Sequence, residues 1–342
     1  MKSPGDLLIR VEASAQIGNG HVMRCLALAQ GWQDKGGTAR FLCGNLPGSL
    51  SEILRAQGFT TMTMPFSIGG ADDMNMVSEQ AAASRWIVVD GDTFPHDYIP
   101  RRKSHYPHVM LIDDYGKHHD LPVDAILNQN LNASPDLYLP RAATQFLLGT
   151  EYLLLRREFR ARKHRTTVPA VTRHLFVTLG GTDPDSISLR VASACARLDP
   201  SKFQVTLATT SANPNLPQLK EYCEMPSSVS LLVDTPDMAE IMSNSDLAVI
   251  ASGGTLWELL YLGCPVLSYS RNQAQASILE DLVSLGAVTN MGAASAFQEP
   301  NLVSKIEELA SSPLKRQSMS DAGASIVDGR GVDRVVEYLL QA

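Results

Sequence analysis

A short apolar run at 7–11 leads into Ile17-Gly18-Asn19-Gly20-His21-Val22-Met23-Arg24-Cys25-Leu26-Ala27-Leu28-Ala29. A strand, a glycine turn and a helix in that order make a βα unit, whose loop lies at the carboxyl edge of a sheet where open α/β folds bind ligands. Gly18 and Gly20 permit close backbone approach, and the helix start offers unpaired N–H groups and positive potential. That potential disfavours a charged imidazole, so His21 is expected to be neutral, the form a general base needs. A plain turn capped by His21 is the competing structural explanation. The stretch makes a poor dinucleotide fingerprint. Met23 stands where the third glycine belongs, and the next apolar run, Ala39-Arg40-Phe41-Leu42-Cys43-Gly44, ends without an acid for a ribose.

The alternation continues. Strands are expected at 39–43, 58–64, 86–90, 108–114 and 124–130, and helices at 21–35, 48–57 and 76–85. A basic, apolar-poor segment at 156–169, closed by Pro169, reads as a linker. A second series follows, with strands at 174–179, 203–208, 229–233, 247–251 and 265–269. Its helices run to Leu198 and over 238–244, 256–262 and 275–285, with two more ending the chain. Strands alternating with helices predict parallel, doubly wound sheets. Two Rossmann-like domains are expected, 1–165 and 170–342, the last helix being a candidate for packing back on the first.

The 342 residues suffice for two cores at roughly 100–200 residues per domain. A net charge of −7 with no basic arm argues against nucleic acid and anionic membrane as partners. Five scattered cysteines without a C-x-x-C predict reduced thiols, with neither a disulfide framework nor a metal site, and no cofactor is expected. The start lacks the pattern of a signal peptide, and no stretch approaches the ~20 apolar residues of a membrane span, which reads as a cytoplasmic protein. The oligomeric state is left open, a monomer included.

Polar residues at strand ends are the candidates for a site, because that edge lines the ligand crevice. Asp90 ends one apolar run, Asp113-Asp114 another, and Asn128-Gln129-Asn130 a third. Asp92 lies two residues past Asp90, and Arg24 three past His21. Gly180-Gly181-Thr182 and Ser252-Gly253-Gly254-Thr255 each stand between a strand and a helix, an arrangement that holds phosphate, though neither is a Walker loop. Glu258 could accept hydrogen bonds from a ribose diol, or could close a capping box with Thr255.

Several of these stretches resemble one family. The opening motif, Leu148-Gly149-Thr150-Glu151-Tyr152-Leu153-Leu154-Leu155-Arg156-Arg157-Glu158-Phe159, Val177-Thr178-Leu179-Gly180-Gly181-Thr182-Asp183-Pro184, Ser252-Gly253-Gly254-Thr255-Leu256-Trp257-Glu258, Gly263-Cys264-Pro265 and Asn272-Gln273 occur in its order. It is the family of UDP-sugar hydrolases of pseudaminic acid biosynthesis, with spore-coat polysaccharide relatives. The resemblance implies a GT-B fold, two Rossmann-like domains with parallel sheets facing a central cleft. It further implies a UDP-sugar substrate, sugar on the amino half, UDP on the carboxyl half, and inverting hydrolysis without a metal. His21 would be the base, and Ser252 to Thr255, Glu258, Asn272 and Gln273 the nucleotide site, with the Gly180 loop near the diphosphate. Asp92 stands where these hydrolases usually carry a tyrosine, and Glu12 replaces the usual aspartate, which puts the sugar in question. A GT-B glycosyltransferase with a hydroxyl acceptor is the alternative. A silent UDP-sugar-binding protein and a hydrolysing 2-epimerase rank lower, the first because His21 is present, the second because of the opening motif.

Overall fold

The computed structural model describes residues 4–12, 19–95, 98, 108–116, 122–139, 144–183, 185–224 and 229–342. They form two compact units, Met1–Arg157 with Gly329–Ala342, and Glu158–Asp328.

In the amino-terminal unit the chain runs β1 (Asp6–Val11), α1 (Gly20–Asp34), β2 (Thr38–Cys43), α2 (Gly48–Ala56), β3 (Thr60–Thr63), α3 (Ala71–Ala81), β4 (Trp86–Asp90), β5 (Val109–Ile112), β6 (Ala125–Asn128) and β7 (Gln145–Leu148). The strands make one seven-stranded sheet in the order β3-β2-β1-β4-β5-β6-β7, every pairing parallel. The order reverses between β1 and β4, where Val11 pairs with Asp90. The residues Trp86-Ile87-Val88-Val89-Asp90 are all buried, as a strand covered on both faces requires.

A short α4 (Arg157–Arg160) leads to β8 (His174–Thr178), α5 (Ser188–Cys195), β9 (Gln204–Thr209), α6 (Leu216–Glu224), β10 (Val229–Val233), α7 (Met238–Ser243), β11 (Leu247–Ala251), α8 (Gly254–Leu262), β12 (Val266–Ser270), α9 (Gln273–Ser284), β13 (Val288–Ala293), α10 (Glu299–Ala310) and α11 (Pro313–Ile326). Six parallel strands in the order β10-β9-β8-β11-β12-β13 repeat the design, with the reversal between β8 and β11.

The final helix, α12 (Gly331–Gln341), lies against α1 in the amino-terminal unit. Val332, Val335, Val336 and Leu339 are buried in one cluster with Leu26, Ala29 and Trp86. Trp86 Nε1 donates to the Leu339 carbonyl at 2.9 Å. Gly31 makes this approach possible, because a Cβ there would fall 2.2 Å from Val332 Cγ1.

The structure departs from the sequence expectations in particular places. The units divide at Arg157/Glu158, near the start of the basic segment, and 329–342 returns to the first one. The basic segment is no free linker: Arg165 N donates to the Leu262 carbonyl and Val168 N to Gln317 Oε1, which ties it to the carboxyl-terminal unit. Helix α3 begins ahead of the expected 76, with Asp72 and Asp73 in its first turn, where carboxylates complement the helix dipole. Two edge strands, β7 and β13, and the helix α6 were not expected; edge positions do not demand a fully apolar run. Three helices, not two, follow β13. Among the described residues no helix is long and apolar enough to cross a membrane.

Candidate functional site

The reversal point of the amino-terminal sheet is held by side chains. His21 is the second residue of α1, and its ring comes to Asp90 at the end of β4, with Nδ1 to Oδ1 2.7 Å. Arg24, one turn on, donates from Nε to Asp90 Oδ2 at 2.7 Å and from Nη2 to Oδ1 at 2.6 Å. Its Nη1 donates to Asp114 Oδ2, past the end of β5, at 2.6 Å. Asn130 Nδ2, past β6, donates to the Asp114 carbonyl at 3.1 Å. Cys25 completes the surroundings, its thiol donating to Asp90 Oδ2 at 3.3 Å. Three neighbouring strand ends and the first turns of α1 thus meet at one point. Asp90 is fully buried, while His21 keeps 14% of its side chain exposed.

Charge decides the tautomer. Burial alone would raise the pKa of Asp90, but Arg24 and His21 outweigh it and hold the carboxyl well below the usual carboxylate range. An ionised Oδ1 needs a donor from Nδ1, so the ring carries its proton there and keeps the Nε2 lone pair. The His21 pKa itself is raised: burial opposes protonation, and Asp90 overcomes it. The helix dipole, expected to disfavour a proton on His21, is opposed here by a carboxylate in hydrogen-bond contact, which favours it.

The remaining expected residues fall as follows. Gly20 opens α1 in open space, with nothing within 4 Å of where a Cβ would stand. Gly18 lies outside the described residues. Asp92 is exposed, two residues past β4, and acts electrostatically on Tyr115 together with Asp114. Between them Gly91 leaves room for Glu12, whose Cβ would be 2.5 Å from a Cβ at 91, and Glu12 accepts from Thr93 N at 3.0 Å.

In the carboxyl-terminal unit the loops after β8 and β11 flank the other reversal point. Helix α8 starts at Gly254, with Gly253 at its cap and no side chain bonded there. Gly253 and Gly254 are exposed, with nothing within 4 Å of a built Cβ at either. Thr255 is inside the helix, so the capping box with Glu258 does not form. Ser252 faces inward, its Oγ 2.9 Å from Ser268 Oγ. The Gly180-Gly181-Thr182 loop differs. Asp183, in the left-handed region at φ 39°, accepts from Ile187 N and Ser188 N at 3.1 and 2.8 Å, two of the donors at the start of α5. Asn272 caps α9 by accepting from Gln275 N at 2.9 Å, and Gln273 is exposed beside it.

Sequence reading missed Arg271. Its Nε donates to Asp185 Oδ2 at 3.1 Å, and a Cβ on Gly180 would lie 3.2 Å from its Nη1. Since β11 lies between β8 and β12, a side chain from the loop after β12 reaches Gly180 only across the end of β11, where α8 opens. A basic residue next to Asn272-Gln273 was the available signal. Among the described residues no group of three His, Cys, Asp or Glu could hold a metal ion.

Two Rossmann-like domains of parallel strands make this a GT-B protein. Residues 174–330 match the glycosyltransferase family 28 C-terminal domain. The fold also matches the crystal structure of Acinetobacter baumannii MurG (TM-score 0.66, 13% identity, 99% of this chain and 100% of that one). A UDP co-structure of S. aureus MnaA matches with a TM-score of 0.69 at 13% identity, over 98% and 97% of the two chains. The spore coat polysaccharide biosynthesis protein SpsG of Bacillus subtilis is 26% identical over 217 residues, 63% of this chain and 64% of its own length, so less than two thirds of that relative is spanned. The UDP-2,4-diacetamido-2,4,6-trideoxy-β-L-altropyranose hydrolase of Campylobacter jejuni is 26% identical over 273 residues, 78% of this chain and 93% of its own. The chain is similar in sequence to both of these proteins.

Proposed function

We propose that the protein hydrolyses a UDP-linked deoxy-diacetamido sugar, releasing UDP and the free sugar with inversion, in nonulosonic acid or surface-polysaccharide synthesis. The amino-terminal unit acts on the sugar and the carboxyl-terminal unit holds UDP. The observation that carries the reading is the His21–Asp90 pair, with Nδ1 bonded to a buried carboxylate and Nε2 left as a base. Water oxygen bonds to the anomeric carbon, its proton passes to Nε2, and the bond to UDP breaks with the electron pair leaving on the diphosphate. The uncapped start of α8 and the Arg271 guanidinium are the groups suited to that growing charge. The name of the Campylobacter jejuni relative supports the choice of water and of sugar.

A glycosyltransferase is the second reading. It is favoured by Asp92, an exposed carboxylate that acts with Asp114 on Tyr115 and suits an acceptor hydroxyl. The test is UDP release from a panel of UDP-sugars, without added acceptor, by the wild type and by His21→Ala. Release abolished by the substitution supports hydrolysis. Tight UDP binding without release from any sugar rejects it and favours transfer.

A further inference from the structure

We propose that Arg24, braced by Asp114, is a positioning residue for His21: it orients Asp90 toward the ring and limits how strongly the two carboxylates favour a proton on the imidazole. The inference rests on the hydrolase reading above. Asp90 Oδ1 accepts from His21 Nδ1 and from Arg24 Nη2 together, which leaves Nη2 3.0 Å from Nδ1. A proton added to the ring therefore places an imidazolium directly against a guanidinium. All three nitrogens of Arg24 are bonded to carboxylates, two to Asp90 and one to Asp114.

The charges near the ring fix the sign of each perturbation. Asp90 from β4, Asp114 from the loop after β5 and Arg24 from α1 act on His21. Glu12, past β1, is bonded to Thr93, the Cys25 thiol donates to Asp90, and Asp92 acts on Tyr115. Two carboxylates and one guanidinium leave a net negative surrounding that favours the proton. Removing Arg24 leaves both carboxylates uncompensated and must strengthen proton binding. Removing the Asp114 charge leaves Asp90 matched by Arg24 and must weaken it. A merely structural Arg24 predicts no such opposite pair.

The experiment follows the His21 ring by NMR across pH in the full chain labelled at histidine, the signal being assigned by its loss in His21→Ala. The wild type is compared with Arg24→Gln, Arg24→Lys and Asp114→Asn, and the pH profile of UDP release is recorded for each. Arg24→Gln should move the titration up by about one pH unit or more, with activity lost at neutral pH regained on the alkaline side. Asp114→Asn should move it down, and Arg24→Lys should stay near the wild type. Should Arg24→Gln not fold, the downward shift in Asp114→Asn still tests the sign. An unmoved titration in the folded variants, with activity lost equally at every pH, overturns the proposal. Shifts in the expected directions without UDP release by the wild type would reject hydrolysis and leave the tuning intact.

Discussion

The two units carry the same kind of parallel sheet, and each gathers polar groups where its strand order reverses, but they build those edges from opposite materials. The amino-terminal edge is made of side chains: a histidine, two carboxylates and a guanidinium bonded into one cluster. The carboxyl-terminal edge is made of main chain, with two exposed glycines opening α8 and no side chain bonded to its cap. Side chains can carry and move a proton, whereas exposed N–H groups can only hold charge in place. The difference underlies the proposal of chemistry at one edge and anion binding at the other. Within the second unit the contrast recurs, because Asp183 bonds two N–H groups at the start of α5 while no side chain bonds the cap of α8.

That division can be broken at each edge. His21→Ala should lower UDP release by about 10²–10⁴-fold, as loss of a general base does, without changing UDP affinity measured by calorimetry. Equal losses in both would place UDP at the histidine and end the distinction. Asp90→Asn should lower the plateau rate less, and also move the profile. The raised pKa of His21 means that the wild-type base is protonated and idle at low pH, with the rate rising as pH passes the folded value. Without the carboxylate that value falls, so the acid limb should shift to lower pH.

At the other edge, Arg271→Gln should weaken UDP by about tenfold, the effect of losing one charge-assisted hydrogen bond, and leave uridine binding unchanged. Uridine weakened to the same extent would instead assign Arg271 to folding of the loop. The smallest expected effect separates the two glycine loops. Asp183→Ala should cost about 0.5–2 kcal/mol of stability as a lost helix cap, read from chemical unfolding, with UDP affinity kept. Gly253→Ala should do the reverse, since its Cβ meets nothing in the protein while narrowing the approach to the α8 N–H groups.

Much of this was legible in the chain because the signals are local. Apolar runs such as Trp86-Ile87-Val88-Val89 ended by Asp90 mark central strands and their carboxyl ends, and glycines followed by an apolar-periodic stretch mark helix starts. The edge strand β13, Val288-Thr289-Asn290-Met291-Gly292-Ala293, gave no such run, because one of its sides faces no neighbouring strand. The spacing of Thr255 and Glu258 suggested a capping box, and the helix began ahead of it. Asp183 and Arg271 went unread for a different reason. Their roles depend on which loop stands beside which, and sheet order is not a property of any one segment.

The sequence by itself determined the parallel α/β class, the doubling of the Rossmann-like pattern and the stretches from which the edges are made, because hydrophobic period and turn chemistry act over a few residues. Tertiary structure alone decided that Arg24 faces two carboxylates and that Asp90 sets the proton on His21. Those outcomes rest on contacts between groups 66, 69 and 90 positions apart in the chain, and Coulomb energy depends on distance through the folded molecule.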